Sequence, residues 1–155
     1  MITFIQGQNV FFSDAKTIVC PVNTVGVMGN GLARAFRDRY PGLYDAYKKA
    51  CANGVFQKQG YFVFKDPDFK TQILCFPTKR HWKNDSQLRW IRDGLAKLAN
   101  TYKDHNITSI IFPPIGCGKG NLSWVDVKPL LIEELAMTDM DIRVIEPGGY
   151  NSGVW

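Results

Sequence analysis

The sequence predicts an α/β fold in which helices cover both faces of a central sheet. Short β-prone segments alternate with segments of helical spacing along the whole chain, and the run Thr-Ile-Val-Cys-Pro-Val at residues 17–22 is apolar after its first residue. An unbroken apolar run of this length is typical of a parallel strand that is buried on both faces. Strands that alternate with helices are typical of a layered α/β sheet.

In the first half of the chain, apolar spacing and turn residues define the elements. The predicted elements are a strand at Ile2–Gln6, a turn at Gly7–Asp14, a strand at Thr17–Val22 and a helix from about Gly31 to Arg39. We predict a second helix from Pro41 through Ala50, because proline suits the first turn of a helix, where its missing N–H is not needed. Asn53 and Gly54 are typical of a helix end.

In the second half, two β-prone runs flank the turn signal at residues 66–68, and Pro77 is predicted to close the second run. The predicted strands are Tyr61–Phe64, Gln72–Phe76, Ser109–Phe112 and Ile142–Ile145. Ser86 or Asp85 is expected to cap a helix that keeps four apolar residues on one face, namely Leu88, Ile91, Leu95 and Leu98. Trp90 also falls on this amphipathic helix and is interpreted as a core residue. Ser123 with Asp126 resembles a capping box, which predicts a helix through Met137.

Composition favours a single domain over residues 1–155. The chain is 45% hydrophobic and carries a net charge of +5, which favours anionic partners such as nucleotides. No run is long enough to span a membrane, and the N-terminus lacks the features of a signal peptide. The four cysteines form no Cys-x-x-Cys pair and no metal-ligand spacing exists. We therefore expect a cytoplasmic monomer with reduced thiols and no metal.

The first glycine-rich loop, residues 22–32, lies between a predicted buried strand and a predicted helix. It reads Val-Asn-Thr-Val-Gly-Val-Met-Gly-Asn-Gly-Leu. Such a loop exposes backbone N–H groups at the positive end of a helix, which suits a phosphate. A tight turn with no ligand is the alternative, because glycine serves any turn that needs positive φ.

The second glycine-rich loop, residues 113–122, contains Gly-Cys-Gly-Lys-Gly and also follows a predicted strand. The first loop is not a P-loop, because Leu32 and Ala33 stand where lysine and a hydroxyl residue are needed, and it lacks the dinucleotide pattern because Arg34 stands where the third glycine is needed. Ligands collect at the carboxyl ends of parallel strands. Two loops at that edge could hold a diphosphate from both sides.

A third loop, residues 77–83, groups basic side chains around Trp82. They are Lys79, Arg80, His81 and Lys83. A basic cluster with an aromatic side chain could bind a phosphate backbone and stack a base. An ordinary solvated loop is the alternative interpretation on this evidence.

Together these loops resemble the macrodomain family, which binds ADP-ribose. The motifs are Asn-Thr-Val-Gly-Val-Met-Gly-Asn-Gly-Leu-Ala at 23–33, Phe-Pro-Thr-Lys-Arg-His-Trp at 76–82 and Pro-Pro-Ile-Gly-Cys-Gly-Lys-Gly at 113–120. In this order they are similar to the DarG type, which removes ADP-ribose from thymidine in single-stranded DNA. The resemblance covers nearly the whole chain. It implies a three-layer α/β/α sandwich with a mixed, mostly parallel sheet.

The resemblance also implies roles for individual residues. Lys79 would act on the C1″ carbon of the distal ribose, and Asn23 would hydrogen-bond that ribose. The implied ligand-binding set is Gln8, Asn9, Asn23, Thr24, Val27, Met28, Gly29, Asn30, Gly31, Leu32, Thr78, His81, Trp82, Pro114, Ile115, Gly116, Cys117, Gly118, Lys119 and Gly120. ADP-ribose is then ligand or product, and no cofactor is implied.

A neutral lysine could attack the anomeric carbon and form a covalent intermediate. Neighbouring positive charges at Arg80, Lys83 or His81 are expected to lower the pKa of Lys79. The alternative is a protonated Lys79 that pairs with a phosphate. Cys117 is interpreted as packing, because nothing near it in the sequence supplies a base.

Two positions depart from family patterns. Gln8 stands where macrodomains usually place an aspartate that receives the adenine amino group, and Tyr150 is a candidate for the adenine end. Gly120 stands where a related group of hydrolases carries a catalytic aspartate. Three functions follow as hypotheses: a hydrolase of ADP-ribosylated nucleic acid, an ADP-ribose-1″-phosphate phosphatase, and a non-catalytic binder of ADP-ribose or another NAD-derived signal in host defence.

Overall fold

Six β-strands form a single mixed sheet in the computed structural model of the chain, which describes residues 1–148. The strands are β1 Ile2–Ile5, β2 Thr17–Asn23, β3 Phe62–Phe64, β4 Gln72–Lys79, β5 Ser109–Phe112 and β6 Asp141–Ile145. The helices are α1 Gly31–Arg39, α2 Leu43–Ala52, α3 Val55–Gln59, α4 Leu88–Thr101 and α5 Trp124–Leu135. Short 3-10 turns occupy Val10–Phe12 and Tyr102–His105.

The strand order is β1-β6-β5-β2-β4-β3. All neighbours pair in parallel except the edge strand β3, which runs antiparallel to β4. The pairing of β2 with β4 is irregular at one step, because Val22 faces Pro77 while Asn23 faces Lys79. Strand β4 therefore has one more residue than β2 in this interval, as in a β-bulge.

Successive residues of the central strands enter different hydrophobic cores. Val19 and Leu74 pack on one face of the sheet with α4 and α5. Ile18 and Cys20 pack on the other face with α1, α2 and α3. This alternation follows from the two-residue period of a strand. The predicted three-layer α/β/α sandwich with a mostly parallel sheet is confirmed, and the buried stripe predicted on α4 is present at Ile91, Leu95 and Leu98.

Strand β4 continues through Pro77, where the sequence predicts its end. The reason is that β3 pairs with β4 only as far as Cys75, so β4 has a neighbour on one side alone beyond that point. Proline lacks the N–H of a ladder hydrogen bond and is tolerated where a strand has a free edge. The longer strand brings Lys79 to the carboxyl edge of the sheet.

Both ends of the second predicted helix differ from the prediction. The helix predicted from Pro41 begins at Leu43, because Gly42 before it has a left-handed φ of 89°. The helix ends at Ala52, and Gly54 (φ 71°) then starts the short helix α3, which the sequence analysis does not predict. Because Gly54 also precedes a helix, its turn signal alone could not show that helical structure resumes.

The predicted side-chain caps of α4 and α5 are absent. The N-cap of α4 is Gln87 instead of Ser86 or Asp85, and no side chain caps it. Ser123 is the N-cap of α5, as predicted, but its carbonyl oxygen accepts from the N–H of Asp126 (3.0 Å) and its side chain does not cap the helix. That helix ends at Leu135, two residues before the predicted end. No helix within residues 1–148 is long and apolar enough to cross a membrane.

Candidate active site

A cleft of about 260 Å³ opens at the carboxyl ends of β2, β4 and β5. The first and second glycine-rich loops form its two sides, and the end of β4 forms its floor. The lining residues are Pro21, Val22, Asn23, Val27, Gly29, Asn30, Gly31, Leu32, Ala33, Thr78, Lys79, Trp82, Pro113, Pro114, Gly116, Gly118, Lys119 and Gly120. The three predicted loops therefore meet at one site.

Asn23 organises the first loop. Its side chain is nearly buried (7% exposed), and its Oδ1 accepts from the N–H groups of Val25, Gly26 and Val27 at 3.1–3.3 Å. Its Nδ2 donates to the carbonyl oxygen of Val27 (2.8 Å), and the hydroxyl of Tyr47 lies 2.8 Å from Oδ1. A side-chain amide has two N–H groups. One of them therefore stays available to a ligand, while the oxygen is fully used by the protein.

The first turn of α1 leaves its N–H groups open to the cleft. Gly31 begins the helix with φ 63°, and the side chain of Asn30 at the N-cap does not cap the helix. Instead, the Asn30 Oδ1 accepts from the Nζ of Lys119 at 2.7 Å. The uncapped N–H groups carry the positive end of the helix dipole. A positive charge from the second loop thus lies beside a helix N-terminus that already favours an anion.

Close backbone packing in the second loop requires glycine. The carbonyl oxygen of Gly116 (φ 77°) accepts from the N–H of Leu122 at 2.9 Å, and the carbonyl oxygen of Gly120 accepts from the N–H of Ser86 at 3.0 Å. A Cβ on Gly120 would lie 2.5 Å from the Gly116 oxygen and 2.4 Å from the Ser86 Oγ. No side chain fits at residue 120 without movement of the loop.

Lys79 is the cationic side chain on the floor of the cleft. Its Nζ donates to the carbonyl oxygen of Trp82 at 3.3 Å. Burial lowers the pKa of Lys79, the carboxylate of Asp85 raises it, and the positive charge of Lys119 lowers it further. The sequence predicts a lowered pKa for Lys79, but it attributes the shift to the positive charges of the third loop. The structure assigns the effect mainly to burial, with the repelling charge supplied by the second loop.

The third loop is basic and aromatic in space as well as in sequence. Trp82 is 45% exposed, and the ring of His81 stacks on it at 5.5 Å between centroids. The Nζ of Lys83 lies 5.1 Å from the centroid of Trp82. The N–H of Lys83 donates to the Nδ1 of His81 at 3.1 Å, which fixes the ring. Trp82 lines the cleft, whereas His81 does not.

Several predicted ligand residues lie away from the cleft surface. Met28 and Ile115 are fully buried. Cys117 is half-buried, its Sγ lies 3.5 Å from the carbonyl oxygen of Ile115, and burial raises its pKa to about 11. A thiol with a raised pKa is a poor nucleophile at neutral pH. This agrees with its interpretation as a packing residue.

The predicted adenine end lies outside this cleft. Gln8 and Asn9 do not line it, and the Oδ1 of Asn9 accepts from the N–H of Phe11 at 2.9 Å. The carboxylate of Asp14 accepts from Arg143, which lowers the pKa of Asp14. Tyr150, the remaining candidate for this end, lies outside the described residues.

A second cavity of about 430 Å³ adjoins the cleft on the side of β3. Its lining residues are Thr24, Phe56, Gln57, Gly60, Pro77, Lys79, Arg80, Trp90, Asp93, Gly94 and Lys97. The sequence analysis places Trp90 in the core, but the indole is half-buried and lines this cavity, with the Arg80 guanidinium 4.7 Å from its ring centroid. Trp90 lies outside the apolar stripe of α4. This position is the sequence signal that could have shown that Trp90 is not a core residue.

The cleft also contains four residues that the sequence analysis does not select, Pro21, Val22, Ala33 and Pro113. Each is a chain neighbour or near neighbour of a predicted residue, so strand-end placement could have found them. Within residues 1–148 no group of three or more histidine, cysteine, aspartate or glutamate side chains could hold a metal ion.

The chain is similar to proteins of known family. The Macro domain profile matches residues 19–131. A DNA ADP-ribosyl glycohydrolase of Mycobacterium tuberculosis is 38% identical over 152 residues, which is 96% of this chain and 43% of that protein. This chain therefore spans about two fifths of the length of such curated relatives.

Two solved structures match closely in fold. The macrodomain of Thermus aquaticus DarG has a TM-score of 0.86 and 37% identity, over 95% of this chain and 99% of that one. Thermosipho africanus DarTG in complex with ADP-ribose has a TM-score of 0.87 and 33% identity, over 94% of this chain and 42% of that one.

Proposed function

Because this chain belongs to the macrodomain family, we propose that it is an ADP-ribosyl glycohydrolase that binds ADP-ribose in its cleft and releases it from nucleic acid. The proposed substrate is ADP-ribose linked to thymidine in single-stranded DNA. Two comparisons support this proposal. A relative with 38% identity is named DNA ADP-ribosyl glycohydrolase, and a matching structure was solved in complex with ADP-ribose.

The two glycine-rich loops would hold the diphosphate of ADP-ribose from opposite sides. The uncapped start of α1 supplies backbone N–H groups on one side, and the loop from Gly116 to Gly120 supplies them on the other. Lys119 is close enough to Asn30 (2.7 Å) to exchange that hydrogen bond for a phosphate oxygen. Backbone donors and a cation at a helix N-terminus are a favourable combination for an anion.

The position of Lys79 is the observation that carries the assignment of hydrolase activity. It faces Asn23 at the ends of paired strands, and Asn23 retains one N–H for the distal ribose. In this proposal Lys79 would stand beside the distal ribose, next to Asn23. Its lowered pKa increases the neutral fraction of the amine, the form that acts as a nucleophile.

The reaction would proceed in two steps. The neutral amine of Lys79 donates its lone pair to C1″, a C–N bond forms, and the bond from C1″ to the base nitrogen breaks. The base leaves with that electron pair and takes a proton from water, and the hydroxide formed takes the extra proton of the lysine nitrogen. In the second step a water attacks C1″ and passes a proton to the lysine nitrogen, which leaves with the electrons of the C–N bond. The neutral amine of Lys79 is restored and ADP-ribose is released. No cofactor enters these steps, and ADP-ribose is the product.

The third loop would bind the strand that carries the modified base. Lys83 can contact a phosphate, and the exposed face of Trp82 can stack a neighbouring base. The loop adjoins the reacting end of the cleft, because Trp82 and Lys79 both line it. A single strand can present a base there without first opening a duplex.

Lys79→Ala tests the proposal against a matched control, Lys70→Ala, which removes an exposed lysine between β3 and β4. The substrate is a single-stranded oligonucleotide with one ADP-ribosylated thymidine, and the product is free ADP-ribose. We expect Lys79→Ala to abolish release while free ADP-ribose still binds in calorimetry, and Lys70→Ala to match the unmodified protein. Unchanged release by Lys79→Ala would rule out the lysine mechanism.

The same preparations distinguish the other two hypotheses. Release of phosphate from ADP-ribose-1″-phosphate, with no release from the oligonucleotide, would assign a phosphatase instead. Tight ADP-ribose binding without turnover of either compound would assign a binding module.

A further inference from the structure

We propose that the second cavity holds the nucleobase from which ADP-ribose is removed, so that Lys79 stands between the bound ADP-ribose and its leaving group. This inference rests on the proposed function, and it names the recognition site for the leaving group. Lys79 is the residue that lines both the cleft and the second cavity. A group bonded to C1″ beside Lys79 would therefore extend directly from one space into the other.

The chain builds this cavity where two helix layers meet beyond the short strand β3. Helices α3 and α4 cover opposite faces of the sheet. They approach each other at its edge, because a Cβ added to Gly60 at the end of α3 would lie 2.3 Å from the Cδ of Lys97 on α4. On the other side, the hydroxyl of Thr24 donates to the carbonyl oxygen of Arg80 at 3.2 Å. The cavity is thus bounded by the same strand ends that position the cleft. Its 430 Å³ is within the usual range for a small-molecule site, about 300–1,000 Å³.

A flat aromatic group would find a stacking surface in this cavity. The Arg80 guanidinium lies over the indole of Trp90, 4.7 Å from its centroid. Trp90 thereby orients the guanidinium, and Arg80 remains exposed, so its other face is open. Single-stranded bases commonly stack on aromatic rings and on arginine planes.

The cavity also offers polar side chains that match the edge of a base. Asp93 and Gln57 are exposed on the cavity wall. The carboxylate of Asp93 can accept hydrogen bonds from a base edge, and the amide of Gln57 can accept or donate them. The edges of nucleobases carry both donors and acceptors, so these two side chains suit a heterocycle.

These features favour a nucleobase over a peptide side chain. A flat stacking surface recognises a heterocycle, and the positive charge of Lys97 suits a phosphate of the strand. A peptide side chain would gain less from a guanidinium held over an indole. The leaving group is therefore assigned to nucleic acid.

The test measures binding in the Lys79→Ala background, so that it does not depend on turnover. Arg80→Ala is compared with Arg92→Ala, which removes an exposed arginine of the same helix layer that does not line the cavity. The probes are free ADP-ribose, ADP-ribosylated thymidine as a single nucleoside, and the modified single-stranded oligonucleotide. Trp90→Leu is a second variant, because it removes the ring over which the Arg80 guanidinium lies.

We expect Arg80→Ala to weaken binding of ADP-ribosylated thymidine about fivefold or more, from the lower end of measured base-stacking effects. Trp90→Leu should weaken it in the same direction, because the Arg80 guanidinium loses the ring that orients it. Both variants should bind free ADP-ribose within twofold of their parent, and Arg92→Ala should bind all three probes normally.

Three results would overturn the inference. Arg80→Ala could weaken binding of the oligonucleotide but not of the nucleoside, which would show that Arg80 contacts strand phosphates only. All variants could bind ADP-ribosylated thymidine as their parent does. An ADP-ribosylated peptide could show the same dependence on Arg80, which would assign the cavity to protein substrates. If protein with Lys79 intact releases no ADP-ribose from the oligonucleotide, the proposed function fails, and the binding measurements still decide the role of the cavity.

Discussion

Replacing Gly120 with alanine adds one methyl group to the most crowded point of the second loop. The new Cβ would lie 2.5 Å from the carbonyl oxygen of Gly116, and real Cβ contacts essentially never fall below 3.0 Å. The oxygen would have to retreat by at least 0.5 Å. It accepts a hydrogen bond from the N–H of Leu122, so the loop has to move as a unit. The Ser86 Oγ, 2.4 Å away, is buried and gives no room on the other side.

The cost of such overpacking is about 1–3 kcal/mol in the free energy of unfolding. For a domain of this size that corresponds to a fall in Tm of roughly 2–12 °C. In the proposed function the same loop covers the diphosphate, so ADP-ribose should also bind less tightly. The effect on binding has the same origin as the effect on stability, namely displacement of the Gly116–Gly120 backbone.

Thermal unfolding and calorimetry with ADP-ribose measure the two effects. Gly29→Ala in the first loop is the control for stability, because a Cβ there would meet only the Val27 Cγ1, at an ordinary 3.5 Å. Its φ is not in the left-handed region. We expect Gly29→Ala to leave Tm unchanged or slightly raised. If Gly120→Ala unfolds at the same temperature as Gly29→Ala and binds ADP-ribose normally, the argument from close packing is wrong.

Two further predictions concern the floor of the cleft and the first loop. In the proposed mechanism kcat/KM rises with pH until Lys79 is neutral. Lys119→Met removes a positive charge that lowers the pKa of Lys79, so the rising limb of the pH profile should move to higher pH. Asp85→Asn removes a carboxylate that raises this pKa, so the limb should move to lower pH. Shifts in the same direction in the two profiles would contradict this assignment. Tyr47→Phe removes a hydroxyl that hydrogen-bonds Asn23 (2.7 and 2.8 Å) and should lower the free energy of unfolding by about 0.5–1.5 kcal/mol in urea denaturation. An unchanged midpoint would show that this hydrogen bond contributes nothing to stability.

The fold class could be predicted because the apolar periodicity of the strands reflects burial on two faces. In β2, Ile18, Cys20 and Val22 enter one core and Val19 enters the other, which is why the run is apolar at successive positions. The boundaries of the strands and helices were harder to predict, because they depend on contacts between residues that are distant in sequence. Whether Pro77 ends β4 depends on how far β3 extends beside it, which no local pattern shows.

The cleft was predictable from the sequence to the extent that glycine-rich loops follow strands. The causes of the lowered pKa of Lys79 were not, because its burial depends on the tertiary fold and Lys119 is 40 residues away in sequence. The second cavity was missed for a similar reason. It forms between α3, a helix that the sequence analysis does not predict, and Trp90, an aromatic side chain assigned to the core.

The irregular pairing of β2 with β4 determines which residue of β4 reaches the floor of the cleft. In a regular ladder Asn23 would face Thr78, and Lys79 would lie one position further on, beside Thr24. A shift of one residue exchanges the faces to which strand side chains point. The position of the Lys79 amine thus depends on the number of residues in β4 more than on the identity of Thr78. In an engineered or diverging chain, substitutions in this strand would be better tolerated than insertions or deletions of a single residue.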